Sequence, residues 1–184
     1  MADLFIALIH HPVYNKRQAV VTTCITGFDL HDIARSAVTF GVKKYFVVNP
    51  LPAQQEFARR IFEFWMDESS LEFNWTRAEA FKLIEIRGTL AEVIAEIEKT
   101  TGQRPKVVGT SAKPRTTISF EQLSTEIKSG DQPVLLLFGT GWGMADEVFA
   151  QVDGVLPPID GPTPYNHLSV RSATAIILDR LLGR

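Results

Sequence analysis

Residues 134–138, Val-Leu-Leu-Leu-Phe, are apolar without a break, and the turn Gly-Thr-Gly-Trp-Gly follows at 139–143. The run is too short for a buried helix, and it lacks the alternation of a strand with one face in water. It reads as a strand covered on both faces, which is the habit of a central strand in a parallel sheet. Such a strand requires helices above and below it, so the rest of the chain has to supply them.

It does so by alternation. Asp3–His11 reads as a buried strand, and 19–25, Ala-Val-Val-Thr-Thr-Cys-Ile, as a short strand or extended loop. Residues 28–41 carry apolar side chains at helical spacing and end in Gly41, a glycine stop. A strand at 44–48 closes on Asn-Pro, and Gln54–Met66 has an apolar face of Phe57, Ile61, Phe64 and Trp65. Phe81–Ile86 reads as a third strand and Leu90–Thr101 as a periodic helix stopped by Gly102. Then come a strand at 106–112, a capping-box pattern of Ser119 with Gln122 before a helix at 120–128, and the 134–138 strand. A short helix at about 144–151, a strand-like Val155–Ile159 and a long helix at 166–182 complete the pattern. Strands and helices in turn predict an α/β fold, a largely parallel sheet with helices on both faces. One domain over residues 1–184 is expected.

Composition narrows the class. With 45% hydrophobic and 22% charged residues, disorder is excluded. No apolar run approaches the roughly 18 residues of a membrane span. The first apolar stretch, Leu4–Ile9, lacks the basic start and cleavage site of a signal peptide. A lone Cys24 removes disulfide frameworks and cysteine-based zinc clusters, so no metal is expected. A cytoplasmic protein is expected. The net charge of −2 argues mildly against a general nucleic-acid coat but leaves local basic surfaces open.

The glycine turn lies where open parallel sheets bind ligands. Three readings compete. A dinucleotide site has the wrong spacing, G-x-G-x-G, comes late in the chain, and is followed by Asp146 and Glu147, which would repel a pyrophosphate. A purely structural turn needs only positive φ angles. The third reading pairs the turn with 156–169, a loop rich in Pro and Gly. Its peptide groups need partners, and it is stiffened by Pro158, Pro162 and Pro164. Two preorganised loops at one sheet edge would form a pocket for a ligand with an adenine edge.

Taken together, Leu135–Met144 and Pro158–Leu182 resemble the SPOUT methyltransferases, S-adenosylmethionine (SAM) enzymes with a C-terminal trefoil knot. The resemblance covers essentially the whole chain and implies a SAM-dependent methyltransferase acting on tRNA or rRNA, at a base or ribose position. It implies SAM contacts from Phe138, Gly139, Thr140, Gly141, Trp142 and Gly143 in the turn. From the later loop it implies Pro158, Ile159, Gly161, Asn166, His167, Leu168 and Ser169. It also implies a homodimer through the last helix, where Val170, Ala173, Ile176, Ile177, Leu181 and Leu182 offer more apolar surface than a monomer uses. In the ribose-methylating branch an early Asn and Arg are paired. Here Asp29 stands at the Asn position and Arg35 at the Arg position, and Trp142 occupies the region of a usual Glu. Those departures make a base nitrogen at least as good a target as a ribose hydroxyl. They also leave room for a catalytically weak SAM-binding protein that acts as a regulator or RNA-binding partner. A nucleotide-binding flavodoxin-like module is a third reading.

The catalytic candidates are Arg35, Asp29, Asp160 and His167, and each has a plain structural alternative. Asp29 suits a helix cap, Asp160 a turn bonded to its own backbone, Arg35 an ion pair with Asp32, and His167 a solvated helix start. Asn166 reads as the N-cap of the last helix. Tyr165 reads as a stacking ring or as packing, and Trp65 and Trp75 as core or interface. Lys16 and Arg17 after the first strand, and Lys113 and Arg115 in Lys-Pro-Arg-Thr-Thr, read either as solvated loops or as phosphate contacts.

Overall fold

The chain begins with β1 (Leu4–Ile9), a hairpin of β2 (Val13–Tyr14) and β3 (Val20–Val21), α1 (Gly27–Thr39) and β4 (Lys44–Val48). It continues through α2 (Pro52–Met66), α3 (Trp75–Phe81), β5 (Ile84–Arg87), α4 (Leu90–Thr101) and β6 (Lys106–Gly109). It ends with α5 (Phe120–Ser129), β7 (Val134–Gly139), α6 (Asp146–Phe149), β8 (Gly154–Val155) and α7 (Val170–Leu182). These coordinates come from a computed structural model that describes residues 1–67, 72 and 74–183. Six strands form one sheet in the order β5-β4-β1-β7-β6-β8, and every pairing in it is parallel.

The central pair is β1 and β7, with Leu4 to Ile9 in register against Val134 to Gly139. Alternate residues of these strands feed two cores. Leu4, Ile6, Leu8, Leu136 and Phe138 meet α1, α3, α5 and α7 on one face. Phe5, Ala7, Ile9, Leu135 and Leu137 meet α4 and Val148 of α6 on the other. Burial on both faces is why the 134–138 run shows no polar position.

Local chemistry sets the helix ends. Thr26 caps α1 by accepting from Asp29 N, Thr89 caps α4 from Glu92 N, and Ser119 caps α5 from Gln122 N. Gly102, with φ +77°, stops α4. Several sequence-based boundaries shift. α2 starts at Pro52 rather than Gln54, because proline at the first helical position has no N–H to satisfy. The expected strand Phe81–Ile86 gives its first residue to α3, and pairing runs over Ile84–Arg87 instead. β6 ends at Gly109, and β8 keeps only Gly154–Val155 before Pro157 and Pro158. The last helix begins at Val170, not Asn166, and its N-cap is Ser169, which accepts from Ser172 N. Trp75 is 69% exposed and is not a core residue.

Candidate active site

β4 and β5 lie to one side of β1, and β7, β6 and β8 to the other. The carboxyl ends of β1 and β7 therefore face a topological switch point, where an open α/β sheet leaves a crevice. The glycine turn sits there. Gly141 has φ +59° and Gly143 φ +101°. A Cβ on Gly141 would lie 2.9 Å from the Tyr14 carbonyl oxygen, and one on Gly139 would lie 2.8 Å from Met144 Cγ. The small hairpin is tied to this turn by backbone bonds: Trp142 N donates to Tyr14 O, and Tyr14 N donates to Gly143 O, each at 2.9 Å.

A chain of buried and half-buried polar groups lies beneath the turn. Thr140 Oγ1 donates to Ile9 O at 3.0 Å and lies 2.5 Å from Thr23 Oγ1, which is itself 3.0 Å from His10 Nδ1. Asn49 Nδ2 donates to Thr23 O at 3.1 Å. His10 is fully buried, and burial lowers its pKa to about 4, so its ring is neutral near pH 7. These bonds fix the segment 22–26 on the ends of three strands, where sequence spacing gave no sign of it.

The opposite wall is the segment 157–168. Among the described residues, none of its N–H or C=O groups takes part in a backbone–backbone hydrogen bond. Its link to its neighbour is made by a side chain, with Asn166 Nδ2 donating to Ala112 O at 3.0 Å. Asn166 thus braces the loop after β6 and does not cap the last helix.

Between these walls lies a cleft of about 840 Å3, within the usual range for small-molecule sites. Of the residues singled out from sequence, Asp29, Phe138, Gly139, Thr140, Gly141, Trp142, Gly143, Ile159, Asn166, His167, Leu168 and Ser169 line it. Pro158 is half-buried beside it, and Asp160 and Gly161 are exposed; none of the three lines it. Arg35 is exposed on α1 and borders a separate shallow pocket with Asp32, Ser36 and Thr39. His31 packs against Trp65 and Phe81, away from the cleft. The cleft also takes in Lys113 and Arg115 of the basic loop, together with Thr23, Cys24, Thr26, Thr110 and Ser111, which sequence reasoning did not place there. The polar run Thr22–Thr23 and the Lys-Pro-Arg run were visible, but their convergence is a product of strand order.

Asp29 is the one carboxylate that lines the cleft among the described residues. It is 9% exposed and sits in the first turn of α1, with Thr26 rather than Asp29 as the cap. Thr26 Oγ1 donates to Asp29 Oδ2 at 2.7 Å, and Arg171 Nη1 stands 3.6 Å from Oδ1. Arg171 also reaches Asp32 at 3.6 Å, so Asp32 pairs with Arg171 and not with Arg35. At the other end Arg115 donates to Asp146 at 2.7 Å and lies over the Phe149 ring. That guanidinium holds the Asp146 carboxyl below its usual range.

Residues 3–183 match the family of SAM-dependent RNA methyltransferases. The chain belongs to this family. An uncharacterised Aquifex aeolicus protein is 42% identical over 183 residues, covering 99% of this chain and 89% of its own length. A protein of Oleidesulfovibrio alaskensis named tRNA (guanine-N(1)-)-methyltransferase is 41% identical over 181 residues, covering 98% of this chain but only 42% of its own length. The SpoU methyltransferase AviRb of Streptomyces viridochromogenes, solved with bound AdoMet, shares the fold with a TM-score of 0.60 at 18% identity. That match covers 98% of this chain and 57% of the other. The fold is thus the α/β fold of the SPOUT methyltransferases.

The cleft suits the cofactor of this SAM-dependent family. The unpaired peptide groups of 157–168 offer donors and acceptors to an adenine edge. Phe138, Ile159, Leu168 and Ile177 place apolar side chains in the same cleft, as an adenine ring requires. Arg115 brings a guanidinium to one side, where a methionine carboxylate needs a cation, and Asp29 brings negative charge to another. At Gly143 nothing lies within 4 Å of where a side chain would stand, which leaves the backbone there open to close approach.

Proposed function

We propose that this SAM-dependent RNA methyltransferase modifies a ring nitrogen of a nucleobase, with Asp29 as the proton acceptor. The observation that carries the reading is the placement of Asp29, the one carboxylate among the described residues that line the cleft, nearly buried and facing the same space as the glycine turn. Bound SAM would supply an electrophilic methyl on a sulfonium, whose S–C bond breaks as S-adenosylhomocysteine leaves. Asp29 takes the N–H proton as the ring nitrogen gains the methyl, and Thr26 and Arg171 hold the carboxylate in place. A ring N–H is a far stronger acid than a ribose hydroxyl, so a carboxylate is a competent base for the first and a poor one for the second. His167, exposed at the cleft edge, orients the substrate. Arg35 and Asp160 lie outside the cleft and are left to the RNA or to a partner subunit.

Three further points belong to this reading. The C-terminal segment is threaded as a trefoil knot. Support comes from Leu156 N bonded to Gly109 O, Thr117 N bonded to Val155 O, and Asn166 bonded to Ala112 O before α7 docks between α1 and α5. The enzyme acts as a homodimer in the cytoplasm on tRNA or rRNA; no helix among the described residues is long and apolar enough to cross a membrane. The dimer contact lies at the amino ends of α1 and α7, where Phe28 is 72% and Leu168 46% exposed.

The test is methyl transfer from tritiated SAM to purified tRNA and rRNA, followed by nucleoside digestion. The longer relative is named for guanine-N1 methylation of tRNA, which makes tRNA the first substrate to try, although this chain matches less than half of that protein. Label in a base-methylated nucleoside, and a rate at least about 100-fold lower in Asp29→Asn, are expected. Label in 2′-O-methyl nucleosides would refute the base assignment. Tight SAM binding without incorporation would leave the catalytically weak, regulatory reading in its place.

A further inference from the structure

Trp142 is an oddity of placement. Tryptophan is usually well buried, yet this one is 51% exposed at the tip of the glycine turn. Its backbone is not free to tuck the ring away. Gly141 and Gly143 on either side have positive φ, and Trp142 N is bonded to Tyr14 O. The turn therefore holds a large flat apolar side chain at the mouth of the cleft.

The charges around it are equally specific. The hairpin bonded to the turn through Tyr14 carries Lys16 and Arg17, both exposed. On the other side, the loop after β6 brings exposed Lys113 into the same cleft. Among the described residues none of these three cations has a carboxylate within ion-pair distance, although the chain as a whole is net negative at −2. Other exposed aromatics lack this setting. Phe28, with the Arg171 guanidinium 5.4 Å from its ring, and Tyr165, packed edge-on to His167, do not line the cleft.

We propose that Trp142 is the stacking platform for an unpaired RNA base at the mouth of the cleft, with Lys16, Arg17 and Lys113 meeting the flanking phosphates. This rests on the RNA methyltransferase reading above and deepens it by naming the form of the substrate. A base inside a duplex keeps its faces against its neighbours, so an indole gains a partner only where the base is looped or flipped out. Stacking of this kind tolerates any base, while the cations supply affinity through phosphate without reading sequence. Trp142 thus selects for single-stranded presentation, and Asp29 acts on what is presented.

The experiment measures fluorescence anisotropy of a labelled single-stranded RNA 12-mer and of the same strand in duplex, with SAM binding followed in parallel by calorimetry. The wild type is expected to prefer the single strand. Trp142→Ala should weaken single-strand binding by roughly tenfold or more, with little change for the duplex, and Trp142→Phe should recover most of the loss. SAM affinity should fall by much less than single-strand RNA affinity in both variants, and RNA should quench indole emission in the wild type but much less in Trp142→Phe. Lys16→Ala with Arg17→Ala should weaken both RNA forms and flatten the salt dependence. Unchanged single-strand binding by Trp142→Ala would overturn the proposal, as would loss of SAM binding in that variant, which would assign the ring to the cofactor. A wild type that binds SAM but neither RNA form would overturn it while leaving the cofactor site standing. Failure to bind SAM at all would instead remove the cofactor reading on which it rests.

Discussion

Gly141 and Gly143 are both glycines with positive φ in one turn, yet they are required for different reasons. At Gly141 an added methyl meets the Tyr14 carbonyl oxygen at 2.9 Å, and backbone cannot swing aside as a side-chain tip does. At Gly143 nothing lies within 4 Å, and only its φ of +101° resists a side chain. Gly141→Ala should therefore cost roughly 2 kcal/mol or more, push the hairpin off the turn and weaken SAM binding. Gly143→Ala should cost only the conformational part, about 1–2 kcal/mol. Urea melts with SAM titrations of the two variants check the order, and equal losses would mean that the Tyr14 contact is unimportant. His10 carries a different kind of prediction. Its pKa in the folded protein is lowered from 6.5 to about 4, so below pH 6.5 the unfolded chain takes up a proton that the folded chain refuses. Stability is then complete above pH 6.5 and falls as the pH drops towards 4. Between pH 7 and pH 5 the loss should be about 2 kcal/mol. His10→Asn should flatten that slope in urea melts at the two pH values, whatever its effect on stability at pH 7.

The last helix shows how an element is divided between the core and the site. Ile177, Leu178 and Leu181 are buried in the core beside Leu123 and Ile127 of α5, while Ile176 and Leu182 are only half-buried. Leu181→Ala should cost about 2–5 kcal/mol, and Ile176→Ala much less, in chemical denaturation of each variant. The same helix marks the limit of what sequence could tell. Its apolar spacing was legible, as were the unbroken β7 and the periodic α4, because burial imposes a period that composition records. Its start was not, since Asn166 is as good a cap as Ser169 by residue type. Only the bond from Asn166 to Ala112 O, from a loop far away in sequence, decides between them. α3 was missed for a related reason: Phe81 closes a helix while the next few residues alternate like a strand, and helix and strand compete over so short a span. Of the site, the glycine turn and the 157–169 loop could be read, because Gly and Pro announce unusual backbone. Thr23, Thr26, Ser111 and Arg171 could not, because each becomes relevant only when strand order brings distant segments to one edge.

At the scale of the molecule, α7 has spent most of its apolar face inside its own subunit, which leaves less for a partner than its sequence promised. One exposed apolar patch lies beside the cleft. Phe28 begins α1, Leu168 precedes α7, and Arg171 bridges the two by lying over the Phe28 ring and reaching Asp29 and Asp32. The patch adjoins the cleft through Asp29 and Leu168, so a second subunit docked there would border both active sites. Such a dimer would tie assembly to chemistry. Sedimentation of the wild type should give twice the mass of one chain. Phe28→Asp should give a single-chain species of nearly unchanged thermal stability, because Phe28 contributes little to its own core. If the dimer completes the site, the same variant should lose methyl transfer while still binding SAM. A wild type that sediments as one chain, or a Phe28→Asp variant that stays dimeric, would place subunit contact elsewhere or remove it altogether.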